Sequence, residues 1–307
     1  MNRRMLFFVN PNAGKTEIRA QLLDVLATFA AGGYRIIIHP TSHAREITEV
    51  TAGEGADYDI IVSCGGDGTL NETVNGLMRL PVDRRPLLGY IPAGTVNDFA
   101  TSLRIPKLIP EAADAIVSGR PYVCDLGRFG DTYFSYVAAF GAFTRVSYAT
   151  PREEKQVLGR AAYLLEGIRS LNEIRPYHVR VEHDGIVTED DVILGMITNA
   201  TSVGGFKSLV AQAALMNDGL SEVVLVRAVK SLTDLNGLAN SVLRWDINPE
   251  QFIWFQTDRV RIEFEEEVPW TVDGEFGGSV REAVVENIPA AMRIMVPRGV
   301  MMPSLMD

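Results

Sequence analysis

Three short loops hold most of the residues that could do chemistry. In Gly65-Gly66-Asp67-Gly68-Thr69 the glycines let backbone N–H groups come close to an anion, and a helix starting at the end of the loop adds a positive dipole. An aspartate there would repel a bare phosphate. Its presence points to a cation bridging to nucleotide phosphates, or to a base beside the reacting group. The simpler alternative is a strand-to-helix turn capped by Asp67. Pro92-Ala93-Gly94-Thr95-Val96-Asn97-Asp98-Phe99-Ala100 repeats the logic, with Gly94-Thr95 at a helix start and a second carboxylate, Asp98, one turn in. Asn10-Pro11-Asn12-Ala13-Gly14-Lys15-Thr16 ends like a P-loop, but Val9 stands where that motif needs its first glycine. It reads instead as a turn bringing Asn10, Asn12 and Lys15 to a nucleotide, the alternative being a capped helix start with a solvated lysine. Two carboxylates with a lysine nearby form the inventory of a Mg²⁺-nucleotide site.

Alternating strands and helices must carry these loops. Apolar runs at 5–9, 34–38, 59–64 and 87–91 read as strands. Helices are expected at Glu17–Ala31 (apolar Ile18, Leu22, Val25, Leu26 and Phe29), at 43–52, from the Gly65 loop to about Met78, and at 96–102. That grammar predicts a parallel sheet with right-handed crossovers, with ligands at the carboxyl ends of its strands, where all three loops fall. From about Pro121 the period becomes two. Residues 122–128 and 132–138 flank a Gly130-Asp131 turn, 177–182 alternates Val179 and Val181 with His178 and Arg180, and 259–265 turns Val260, Ile262 and Phe264 inward. Helical stretches at 158–171 and 232–243 interrupt these strands. Residues 292–296 form an apolar strand without a nearby hairpin partner, expected to return to the first domain.

Composition narrows the function classes. The chain of 307 residues is 47% apolar and 22% charged, enough for one large or two medium packed domains. With 29 basic against 39 acidic residues, a net of −10, broad electrostatic binding of nucleic acid is not expected. Two cysteines, Cys64 and Cys124, are too few for a disulfide framework and suggest a cytoplasmic setting. No apolar run approaches the roughly 18 residues of a membrane-spanning helix, so any membrane contact would be peripheral. The four histidines lack zinc-like spacing.

The three loops, Gly65-Gly66-Asp67-Gly68-Thr69-Leu70-Asn71-Glu72 among them, together resemble the bacterial diacylglycerol-kinase-type lipid kinases, relatives of sphingosine and ceramide kinases. The resemblance continues downstream in Asp273-Gly274-Glu275 and in Asn217-Asp218-Gly219-Leu220, the latter like an Asp-Gly bend that holds a structural Mg²⁺. It implies two domains: an N-terminal parallel-sheet α/β nucleotide-binding domain (1–121 with 290–307) and a C-terminal antiparallel β-sandwich domain (122–289), with the active site between them. By the same resemblance Asn10, Gly14, Thr41, Gly65, Gly66, Asp67, Gly68, Thr69, Gly94 and Thr95 contact ATP. Asp67 and Asp98 organise Mg²⁺ and phosphates with Lys15 in support, Asp125 matches an acidic position near the domain junction, and Glu275 is the general base. The metal bend uses Asp218 with backbone oxygens of Leu215 and Leu220. One departure is Ala211-Gln212-Ala213, where the family usually has a proline ahead of that bend.

Several readings stay open. Asp67 competes with Glu275 for the base role, because in related kinases an aspartate of the Gly-Gly-Asp-Gly loop has been assigned it. Leu158, Ala161, Ala162, Leu165, Ile168 and Leu171 either border a lipid-access cleft or dock a helix on its own core, and Phe129, Phe134, Phe140 and Phe143 either line an acyl pocket or fill the sandwich. The expected activity is transfer of the γ-phosphate of Mg·ATP to a lipid hydroxyl, with diacylglycerol as acceptor and phosphatidic acid as product. The enzyme would be cytoplasmic, peripheral at the inner membrane surface, and compatible with a homodimer. The alternatives are a kinase of a soluble substrate, NAD kinase-like or phosphofructokinase-like, and a non-catalytic nucleotide or lipid sensor.

Overall fold

The computed structural model describes residues 3–11, 17–142, 175–203, 206–207, 215–244 and 247–299. In the first half, β1 (Arg3–Val9), β2 (Tyr34–Pro40), β3 (Ile60–Gly65) and β4 (Leu87–Pro92) pair in parallel in the order β2, β1, β3, β4. Met5, Leu6, Phe7 and Phe8 of β1 and Ile60, Ile61 and Val62 of β3 are fully buried, as strands covered on both faces require. Helices α1 (Glu17–Ala31), α2 (Glu46–Glu54), α3 (Asp67–Met78), α4 (Asp98–Ser102) and α5 (Ile109–Ser118) accompany the sheet. The register Cys64↔Ile91 and Gly65↔Pro92 sets the two glycine-bearing strand ends side by side.

Two helix starts differ from expectation. α2 begins at Glu46 rather than 43, because the Glu46 carboxylate accepts the Ser42 backbone N–H at 2.6 Å, the Ser42 hydroxyl at 2.9 Å and the His43 backbone N–H at 3.2 Å, holding those residues as a loop. α4 begins at Asp98 rather than 96, because Asn97 adopts the left-handed region at φ 57°.

The second half is antiparallel: β5 (Arg120–Phe129), β6 (Thr132–Phe134), β7 (Val137–Gly141), β8 (Tyr177–His183), β9 (Ile186–Thr198), β10 (Ser202–Val203), β11 (Phe206–Lys207), β12 (Ser221–Arg227), β13 (Phe252–Thr257), β14 (Arg259–Val272) and β15 (Glu275–Val296), with α6 (Leu232–Arg244) before β13. Val179, Val181, Val260, Ile262 and Phe264 face a buried core in which Trp270 packs on Phe129 and Phe140 at centroid distances of 4.9 and 4.8 Å. Phe129, Phe134 and Phe140 belong to this core rather than to an acyl pocket. Phe143 and the 158–171 stripe lie outside the described residues.

Residues 292–296 are not an isolated strand. They end β15, whose first part pairs with β14 and whose last part pairs antiparallel with β5 from Met292↔Cys124 to Val296↔Arg120. At Ile294↔Leu88 the same strand joins β4 in parallel, so one chain segment runs from the sandwich into the parallel sheet. The strand expected at 132–138 is also divided, between β6 and β7, because the backbone N–H groups of Ser135, Tyr136 and Val137 turn to the Asp273 carboxylate instead of a neighbouring strand. Among the described residues no helix is long and apolar enough to cross a membrane.

Candidate active site

The glycine loops are pressed together. A Cβ added at Gly94 would stand 2.5 Å from the Gly66 Cα, and one at Gly65 would stand 2.3 Å from the Thr69 hydroxyl oxygen, so larger residues cannot fit. Asn97 stitches the Gly94 loop shut: its Nδ2 donates to the Gly94 carbonyl at 2.8 Å, and its Oδ1 accepts the Gly94 N–H at 3.0 Å and the Tyr90 hydroxyl at 3.2 Å. The Asn97 backbone N–H donates to Asp67 Oδ2 at 2.9 Å, joining the two loops.

Asp67 therefore has one oxygen engaged and one, Oδ1, buried without a partner. Burial, then the charges of Asp98 and Asp273, push its carboxyl up to about 7. Among the described residues no Lys or Arg pairs with Asp67 or Asp273. Asp98 is buried and accepts the Ser202 hydroxyl at 2.6 Å, while Ser102 accepts the Thr201 and Ser202 backbone N–H groups at 3.1 and 3.2 Å. These bonds fasten α4 to the segment after β9.

Asp273 completes the constellation. Its buried carboxylate takes five hydrogen bonds: Asn71 Nδ2 at 2.9 Å, Ser135 N–H at 2.7 Å and the Ser135 hydroxyl at 2.8 Å on Oδ2, with Tyr136 and Val137 N–H at 3.0 and 3.1 Å on Oδ1. Asn71 and Asn75 of α3 also donate to the Tyr133 carbonyl at 3.1 and 2.9 Å. The hairpin between β14 and β15 is thereby bolted to the helix that begins at Asp67. Its tip brings Glu275, which is exposed, over the first loop: a Cβ at Gly68 would lie 3.8 Å from Glu275 Oε1.

Asn10 donates its backbone N–H to the Cys64 carbonyl at 3.1 Å and its side-chain amide to Thr69 at 3.5 Å, and Thr41 donates its N–H to the Val9 carbonyl at 3.0 Å, so both stand at strand ends. Thr69 is half-buried and Thr95 exposed. Asn12, Gly14 and Lys15 lie outside the described residues.

Asp125 does not join this group through any hydrogen bond described. Its carboxylate accepts the Gly219 N–H at 2.8 Å and the Ala290 N–H at 2.7 Å, and its own N–H donates to the Met216 carbonyl at 2.8 Å. It thus braces the bend of Asp218, whose carboxyl is raised by burial and then by the Asp125 charge. Leu215 and Leu220 flank that bend, and the Leu220 carbonyl accepts Asn287 Nδ2 at 2.9 Å.

Sequence reasoning assigned no role to Asp273, Asn71, Asn97, Tyr136 or Ser202. The first three stand inside motifs already singled out, so proximity to those motifs was the available signal. Ser202 and Tyr136 carried none.

Residues 4–129 match the family described as the diacylglycerol kinase catalytic domain, and residues 137–296 match the YegS C-terminal NAD kinase beta sandwich-like domain. The chain is 35% identical over 300 residues to a diacylglycerol kinase of Bacillus subtilis (strain 168), covering 96% of this chain and 97% of the relative. It is 33% identical to a diacylglycerol kinase of Staphylococcus carnosus (strain TM300), covering 98% and 97%. A crystal structure of a diacylglycerol kinase from Bacillus anthracis str. Sterne superposes with a TM-score of 0.82 at 26% identity, covering 98% of this chain and 99% of the other. The chain belongs to the diacylglycerol kinase family, phosphotransferases with an alcohol acceptor.

Proposed function

We propose that the chain transfers the γ-phosphate of Mg·ATP to a lipid hydroxyl, and that the lipid is diacylglycerol, the acceptor named for its relatives. The observation that carries the reading is the buried Oδ1 of Asp67, without a partner among the described residues and surrounded by like charges from Asp98 and Asp273 that a divalent cation would neutralise. The residues present fit such a cation with its nucleotide.

In this reading the amides of the Gly65 and Gly94 loops, with the start of α3, cradle the phosphates. Asp67 and Asp98 would hold Mg²⁺, which would supply charge neutralisation to the phosphates. Glu275 takes the proton of the acceptor hydroxyl. We favour it over Asp67 because it is exposed and an acceptor arriving from outside can reach it, whereas Asp67 is only partly exposed, with one carboxylate oxygen buried and the other taken by the Asn97 N–H. At the second bend, Asp218 and the carbonyls of Leu215 and Leu220, braced by Asp125, form the mixed oxygen set that suits a hard cation in a structural role. The enzyme would meet its lipid peripherally at the inner membrane surface.

The test is incubation with Mg²⁺, γ-labelled ATP and a lipid panel in mixed micelles, with NAD and sugar phosphates as soluble controls. Label in phosphatidic acid supports the proposal. Label only in another lipid phosphate replaces the acceptor, and label only in a soluble product refutes the lipid reading.

A further inference from the structure

Tyr136 stands between β6 and β7 with its backbone fixed on both sides. Its N–H donates to Asp273 at 3.0 Å and its carbonyl accepts the Thr198 hydroxyl at 2.6 Å. The side chain is 7% exposed, and its hydroxyl would stand 3.2 Å from a Cβ placed on Gly274, the residue before Glu275. Gly274 has φ +83° and carries no side chain, so the space above the hydroxyl stays open. Among the described residues nothing accepts a hydrogen bond from the Tyr136 hydroxyl. After burial, the groups that act on this phenol are, in order, Asp273, Asp67, Asp98 and Tyr90, all of which keep it protonated. A fixed O–H donor without an acceptor, set among carboxylates at the junction of the two halves, is arranged for an anionic oxygen that arrives with the substrates.

We infer that Tyr136 is a further catalytic residue of the phosphotransfer proposed above: its hydroxyl donates a hydrogen bond to an oxygen of the phosphoryl group in transit between the Asp67 loop and Glu275. The inference rests on that reading. During the step, the bond from the γ-phosphorus to the β,γ-bridging oxygen breaks and its electron pair leaves with ADP. A bond forms from the acceptor oxygen to phosphorus, and the acceptor proton passes to Glu275. Tyr136 keeps its own proton throughout and stabilises the charge on the transferring group.

The experiment compares wild type with Tyr136→Phe for transfer of labelled γ-phosphate to diacylglycerol, for binding of ADP alone and of ADP with aluminium fluoride, a mimic of the planar phosphoryl group, and for Tm. The expected result is a fall in kcat of about 100-fold, as for loss of one preorganised donor to a transition-state oxygen. The aluminium fluoride complex should weaken in parallel, ADP affinity should stay within about twofold, and Tm should not change, because among the described residues the hydroxyl has no hydrogen bond to lose. Wild-type turnover matched within twofold by Tyr136→Phe overturns the inference and leaves the phosphotransfer reading intact. A lowered Tm with equal weakening of ADP and its aluminium fluoride complex also overturns it, in favour of a structural role. Wild type without transfer to any acceptor overturns both.

Discussion

Asn71 donates its side-chain amide to Asp273 at 2.9 Å, one helical turn beyond Asp67 and two residues before Glu275. The contact links the loop proposed to hold nucleotide and cation to the hairpin that carries the proposed base. A kinase that draws its site from two halves of the chain needs such a link, because a misplacement of about 1 Å can cost about 100-fold in rate.

Asp273→Asn should therefore uncouple the halves. All five hydrogen bonds to it are donated, by four residues and through N–H groups in all but the Ser135 hydroxyl, so the amide nitrogen of the variant would face N–H donors. Loss of about 2 kcal/mol is expected, seen as a Tm lower by about 4 °C or more, together with at least a tenfold fall in kcat. Asn71→Ala should show the same pattern more weakly. Unchanged kcat in both variants would remove the link from the account.

Asp67→Asn should abolish turnover while stabilising the ligand-free protein at neutral pH and above. The sign follows from the folded carboxyl lying near 7 against an ordinary value of 3.8. A raised carboxyl contributes stability that is present below about pH 4 and lost as pH rises through about 7, so wild-type Tm should fall across that window and the variant profile should be flatter. Thermal melts in a pH series, without nucleotide or divalent cation, check this. Parallel profiles would contradict it.

Asp218→Asn tests the second bend. If Asp218 takes a cation there, Mg²⁺ should raise wild-type Tm and a chelator should reverse the rise, in proportion to the logarithm of free Mg²⁺ above its dissociation constant. In Asp218→Asn without nucleotide, most of that rise should vanish. An equal rise in both proteins would place the cation elsewhere.

Much of this was legible in the sequence because short-range chemistry made it so. Asp67 and Asp98 stand in or beside glycine-bearing turns whose residue types point to an anion and a cation, Glu275 was reached only through the family resemblance, and the continuous apolar runs of β1 and β3 read as buried strands. Where long-range contacts decide, legibility failed. The break after Phe134 exists because Asp273, 138 residues further along the chain than Ser135, takes the backbone donors of that segment. The return of 292–296 to the first domain was legible from its lack of a nearby hairpin partner and is seen in its pairing with β4, but its longer pairing with β5, far back in the sequence, was not. For Asp125 the resemblance supplied only an acidic position near the domain junction, and local pattern could not show that the Gly219 and Ala290 N–H groups donate to its oxygens.

The most direct measurement is a single-turnover assay of Glu275→Gln against wild type, with labelled Mg·ATP and diacylglycerol micelles and with ATP affinity determined in the same preparation. The expected result is label in phosphatidic acid for wild type, a rate about 100-fold lower for Glu275→Gln, and equal ATP binding by both. A Glu275→Gln rate near that of wild type would contradict the assignment of the base, and wild type that binds ATP but never labels a lipid would contradict the account as a whole.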